Sequence, residues 1–188
     1  MLTHKGTQAL ETSRLILRKA LPEDAGAMFR NWASDGEVTK FLTWPTYTQV
    51  ETAHEILGIW VKNYEQPDFY QWMIVPKELG EPIGSISVVH HRDDIAEAEI
   101  GYCIGKFWWH KGIMTEALKA VIDYLFREVG MNRIEAKHDV NNPHSGAVMR
   151  KCGMVYEGTA RQSDRNNQGI CDLATYAILR SDQEKTTT

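Results

Sequence analysis

The sequence predicts a mixed α/β fold built on a largely antiparallel sheet, and three observations carry that expectation. Residues 99–104 are short, apolar and aromatic, as in a buried strand; beyond Gly105 the positions Ile113, Ala117, Leu118, Val121, Ile122 and Leu125 fall at helical spacing. Residues 133–140 alternate as a strand, and Asn142-Pro143-His144-Ser145 then opens a second helix that carries Val148 and Met149 and stops near Cys152-Gly153. Around these two units lie several short alternating segments separated by turn residues.

In chain order, residues 14–19 alternate as a strand. Pro22 opens a helix expected to run to about Ala33, with Glu23 and Asp24 in its first turn, where a helix dipole favours acids. Residues 43–47 form a loop. Residues 49–64 form a second helix with Ile56, Leu57, Trp60 and Val61 on one face. Strands are expected at 71–75, 83–90 and 96–104, joined by turns at 76–81 and 92–94. After the two strand–helix units, residues 154–161 and 170–179 form a closing hairpin around 164–169, and the polar tail 181–188 is expected to fray.

At 188 residues, 43% of them hydrophobic, one domain spanning 1–188 with a sizeable core is expected. No run of eighteen or more apolar residues predicts a membrane span, and the first residues lack the apolar stretch of a secretory signal. Cys103, Cys152 and Cys171 are an odd number and far apart, so they read as reduced thiols of a cytoplasmic protein. A net charge of −4 with no basic block argues against a nucleic-acid partner.

Gly112 sits where the predicted strand's loop meets its helix. The first N–H groups of a helix have no intrahelical partner, and with the helix dipole they form an anion site that a glycine lets a ligand approach. His110 and Lys111 add positive charge beside it, or are solvated there while the backbone carries the site. The spacing of Gly101, Gly105 and Gly112 fits neither the nucleoside-triphosphate loop nor the dinucleotide fingerprint.

The pairing of KGIMTEAL with VNNPHSGAVMRKCGMVYEG resembles the GNAT N-acetyltransferase superfamily, and more narrowly the branch that includes the ribosomal-protein N-terminal acetyltransferases. ETSRLILRKALPEDA, SDGEVTKFLTWP, GEPIGSISV and AEIGY fit the same branch in order, so the resemblance covers about residues 11–180. It implies a sheet splayed between its fourth and fifth strands, with acetyl-coenzyme A as co-substrate wedged there and an amine as acceptor. The family's small and polar cradle residues are replaced here by Trp109 and Met114, around Gly112. Met149 stands where many members carry a tyrosine acid, which makes Ser145 the nearest candidate acid.

The implied site follows. Backbone N–H groups of Lys111, Gly112, Ile113, Met114 and Thr115 would hold the pyrophosphate, with Trp109 and His110 beside it. The free edge of Tyr102, Cys103 and Ile104 would pair with the pantetheine arm like an added strand. Asn142 either bonds the pantetheine or shapes the splay, or simply caps its helix; Ser145 either contacts the coenzyme sulfur or caps the same helix. Glu99 is either the general base or one half of a structural ion pair with Arg133 or His138, and Glu135 is structural. Asp35, Glu37, Trp44, Tyr47 and Asp164 are the expected acceptor contacts, with the amine entering between 43–47 and 162–169.

Direct attack in a ternary complex is expected, because Cys103 has no evident base partner for a covalent route. No metal is needed, and the adjacent His90 and His91 point to opposite faces of a strand. The expected activity is acetyl transfer to a primary amine, either a protein N-terminus or a small molecule, by a monomer or homodimer. An acyl-coenzyme A sensor with lost chemistry is the second reading.

Overall fold

The computed structural model describes residues 2–186. A two-residue strand β1 (Leu10–Glu11) precedes β2 (Leu15–Arg18). A 3-10 turn at Pro22–Asp24 leads into α1 (Ala25–Met28) and a π turn at Phe29–Ala33, followed by α2 (Gly36–Thr39) and α3 (Val50–Asn63). Then come β3 (Gln71–Pro76), β4 (Gly84–Arg92), β5 (Glu97–Ile104), α4 (Ile113–Tyr124), β6 (Arg133–Asp139), α5 (Pro143–Lys151), β7 (Val155–Asn166), β8 (Gly169–Leu179) and α6 (Arg180–Thr186).

One sheet has the order β1-β2-β3-β4-β5-β6-β8-β7, and only the β5–β6 pair is parallel. Helices cover both faces, which is why β3 is buried at Gln71 through Val75 rather than at every second residue. Trp72 and Ile74 pack with α4 around Leu118 and Val121, while Met73 and Val75 pack with Met28, Trp32 and Leu57 of the α1–α3 layer. A strand sends successive side chains to opposite faces, so one short segment joins two cores.

The feature that positions the site is where the parallel pair stops. β5 and β6 pair only at Glu97↔Arg133, Ala98↔Ile134 and Glu99↔Glu135. Beyond Glu99, β5 continues beside β4 to Ile104, while β6 follows β8 to Asp139. The sheet therefore splays between the fourth and fifth of the expected strands, which the extra two-residue strand makes β5 and β6.

Four expectations change. β1 is too short to have a period, and α2 is a four-residue turn capped by Asp35, so neither shows as a pattern. The single expected helix at 22–33 changes pitch, and its end is held by the Ser34 N–H and hydroxyl, both bonding the Phe29 carbonyl at 3.2 and 2.7 Å. β7 runs on to Asn166, so Asp164 lies in the strand and the turn tightens to 167–168. The tail does not fray from 181: α6 continues to Thr186, with Asp182 accepting from the Leu179 N–H and Arg180 bonding the Met131 carbonyl, while 187–188 lie outside the described residues. Those are polar ties, one local and one reaching back to Met131, with no apolar stripe to announce them.

Candidate active site

The cradle is built at the start of α4. Gly112 is its N-cap in the left-handed region at φ 74°, and no side chain caps the helix. Glycine tolerates that conformation at little cost, and a Cβ there would lie 3.6 Å from the Arg14 guanidinium. Arg14 donates to the Lys111 carbonyl at 3.0 Å and to Glu116 at 2.6 Å, so a cation that the sequence did not single out stands beside the cradle. Lys111 itself does not line the cavity described below, and its ammonium lies 4.0 Å from the centre of the Phe107 ring.

Glu116 locks this corner together. Its carboxylate accepts from Thr12 Oγ1 at 2.6 Å, Ser13 Oγ at 3.1 Å and the Arg14 N–H at 3.0 Å, joining the β1–β2 turn to the first turn of α4. Burial pushes the carboxyl up, but those bonds and the Arg14 guanidinium outweigh it and lower its pKa from 4.5 to about 2. A depressed acid contributes stability that is present above its ordinary pKa and lost as pH falls through 4.5 toward 2. Glu116→Gln is therefore expected to cost about 1–2 kcal/mol at pH 7. Thermal melts should show the gap closing by about pH 2; a pH-independent gap would deny the carboxylate this role.

A cavity of about 210 Å³ opens at the splay. Tyr102, Cys103 and Ile104 of β5 line it, as do Trp109 and His110 of the loop. Gly112, Ile113, Met114 and Thr115 of α4 join them, with Asn142 and Ser145 at the head of α5. Eleven of the twelve expected coenzyme residues thus meet in one space, Lys111 being the exception. His144, Val148 and Lys151 line it too, on one stripe of α5 whose helical spacing was the available signal. The His110 and His144 rings meet edge-on at 4.8 Å. The Trp109 indole N–H donates to the Ile104 carbonyl at 2.9 Å, fastening the loop to the end of β5.

Tyr102 bridges the splay. Its hydroxyl donates to the Ser145 carbonyl at 3.0 Å and accepts from Ser145 Oγ at 3.1 Å. Burial raises the phenol well above its ordinary range, so it stays protonated. Asn142 is the N-cap residue of α5 but makes no side-chain cap bond, and the Ser145 hydroxyl is turned to Tyr102. Burial also raises the Cys103 thiol, which removes the thiolate a covalent route would need.

No carboxylate lines the cavity. Glu99 is in an ion pair, and its partner is neither Arg133 nor His138 but Lys137, at 2.7 Å. Lys137 also holds Glu135 at 3.0 Å; burial lowers its pKa, yet the two carboxylates outweigh that and keep it raised. These charges share the face of β5 and β6 opposite Ile134 and Ala136, which belong to the core under α4.

The expected acceptor contacts fall elsewhere. Asp35 caps α2 by accepting the Glu37 N–H at 2.9 Å, and Glu37 is exposed. Tyr47 is a core residue with Trp44 against it, ring centres 5.2 Å apart. Asp164 is exposed on β7 and accepts from the Arg165 N–H at 2.7 Å. Nor is there a gap between the two expected loops. Asn167 Nδ2 donates to the Thr39 and Trp44 carbonyls, each at 2.8 Å, and its backbone N–H to that of Leu42 at 3.2 Å. Val38, Phe41 and Leu42, behind this clasp, form the apolar end of the cavity instead.

A splayed mixed sheet with a glycine-headed helix at the opening defines an acetyltransferase-type fold. Residues 14–155 match the acetyltransferase (GNAT) domain family, and the chain belongs to that family. It is 31% identical over 173 residues to the uncharacterized N-acetyltransferase p20 of Bacillus licheniformis, covering 92% of this chain and 97% of p20. It is 29% identical over 144 residues to the ribosomal-protein-serine acetyltransferase of Escherichia coli, covering 76% and 79%. The fold superposes on a solved structure of RimL, the ribosomal L7/L12 α-N-protein acetyltransferase in complex with coenzyme A, with TM-score 0.82 and 23% identity over 92% of this chain and 98% of that one. Among the described residues no helix is long and apolar enough to cross a membrane.

Proposed function

We propose that the protein transfers an acetyl group from acetyl-coenzyme A to a primary amine, by direct attack within a ternary complex. The observation that carries this is the meeting, in one cavity, of the uncapped head of α4 with the unpaired edge of β5. The fit is physical: phosphate oxygens suit free N–H groups at a helix start, and an extended amide chain suits an unpaired strand edge. The RimL relative in complex with coenzyme A supports the same ligand.

Acetyl-coenzyme A, when bound, supplies an activated thioester carbonyl. The chain's own residues then divide the remaining work. N–H groups at 112–115 would hold the pyrophosphate, with Arg14 adding charge behind them. Residues 101–104 would orient the arm and offer an N–H to the thioester carbonyl. Ser145 and the protonated Tyr102 would place hydroxyls at the sulfur end. The incoming ammonium would lose its proton to water, since no carboxylate lines the cavity. Three free cysteines suit a reducing, cytoplasmic setting.

The acceptor is a primary amine whose neighbouring group is small or apolar, because Val38, Phe41 and Leu42 wall that end. Coenzyme release measured with a peptide N-terminus, a polyamine, an amino acid and an aminoglycoside tests the reading, with transferred acetyl located by mass spectrometry. Turnover on at least one of them is expected. Tight coenzyme binding with no turnover on any amine would favour the sensor reading instead.

A further inference from the structure

We propose that His4, His91 and Asp93 form a binding site for a divalent transition-metal ion of Zn²⁺ type, tying the N-terminal segment to the turn between β4 and β5. The site lies outside the cavity at the splay. Three side chains from distant parts of the sequence converge there, and their ligand atoms all lie within 4.8 Å of one another. His4 Nε2 stands 3.2 Å from Asp93 Oδ1, and His91 Nδ1 stands 2.9 Å from the same oxygen. A tetrahedral ion with bonds of about 2.0–2.2 Å needs ligand atoms about 3.3–3.5 Å apart, so only small side-chain movements separate this cluster from a ligand set.

The surroundings of the imidazoles support a metal over a simple ion pair. The second ring nitrogen of His4, Nδ1, bonds the Tyr70 hydroxyl at 2.8 Å. The second ring nitrogen of His91, Nε2, faces Asp68 at 3.7 Å. Metal-binding histidines commonly have their far nitrogen engaged by a polar group in this way, which fixes the tautomer and aims the near nitrogen. The two ring centres lie only 5.0 Å apart, so both imidazoles can reach one ion. Two imidazoles and the Asp93 carboxylate, with Asp68 behind, suit a dication, and imidazole-rich sets favour zinc, nickel or copper over calcium or magnesium.

His4 is also held on ordered backbone. The Thr3 N–H bonds the Val129 carbonyl at 2.8 Å, and Thr7 Oγ1 bonds the Phe69 carbonyl at 3.0 Å. The His4 side chain is 15% exposed and that of Asp93 55%, so the cluster is open to solvent on the Asp93 side. His90 takes no part, in keeping with its place on the other face of β4.

The test is calorimetric titration of the untagged chain with Zn²⁺ at pH 7.5, repeated with Co²⁺ followed by visible absorption. One site per chain is expected, weakened at least 30-fold in both His91→Ala and Asp93→Asn. Zn²⁺ should raise the melting temperature of the parent by about 3 °C or more, and of neither variant. His144→Ala, at the separate His110–His144 pair, should leave the site unchanged. Stoichiometric Zn²⁺ binding that survives both variants, or none in the parent, would overturn the proposal.

Discussion

Replacing Gly112 by aspartate is expected to weaken acetyl-coenzyme A binding about 30-fold or more, some 2 kcal/mol, in calorimetric titration. The new carboxylate would stand at the head of α4, where the proposed pyrophosphate sits against unpaired N–H groups. Like charges a few ångströms apart at a partly buried site account for a loss of that size. Gly112→Ala separates charge from strain. It shares the cost of a left-handed non-glycine residue, about 1–2 kcal/mol, but that cost falls on folding rather than on binding. A melting point lowered equally in both variants, with affinity lost only in the aspartate, is the expected pattern. Undiminished affinity in Gly112→Asp would remove the cradle from α4.

The second large effect concerns pH. On the proposed route, in which water receives the proton, kcat/KM should climb about tenfold per pH unit until the acceptor itself is neutral. That puts the plateau near ~8 for a protein N-terminus and ~10.4 for a lysine-like amine. Glu99→Gln should leave the profile in place and lower turnover less than about fivefold, because Lys137 already holds that carboxylate. A loss of about a hundredfold in Glu99→Gln that shrinks as pH rises would return Glu99 to the role of base.

The legible parts of this chain were those with a period or a break. Residues 113–122 state an apolar stripe that α4 buries, and Gly112 marks where it starts. The alternation at 133–140 and the cap-like Asn142-Pro143 mark β6 and α5 within one residue. Those two units, read with the family resemblance, placed eleven residues that line the cavity. What stayed hidden depends on contacts between distant segments. Arg14 reaches the cradle from 97 positions upstream of Lys111, and nothing local to Arg14 announces it. Glu99 was assigned a face by alternation, but the choice of Lys137 over Arg133 needed the register of the parallel pair. Trp44 and Tyr47 were ambiguous for another reason: an aromatic pair lines a groove or fills a core with the same composition, and only the packing of α1 through α3 decides.

The clasp at Asn167 makes the apolar end of the cavity, where the acceptor is proposed to enter, a shared possession of two remote stretches of chain. One amide side chain closes both the carbonyl of Thr39 and that of Trp44, more than 120 positions away in sequence. Under the proposed function, the shape met by an acceptor at that end depends on both stretches and not on either alone. Thr39 and Trp44 contribute only backbone carbonyls, so the side chain on which the clasp depends is that of Asn167, and losing it would release both stretches at once.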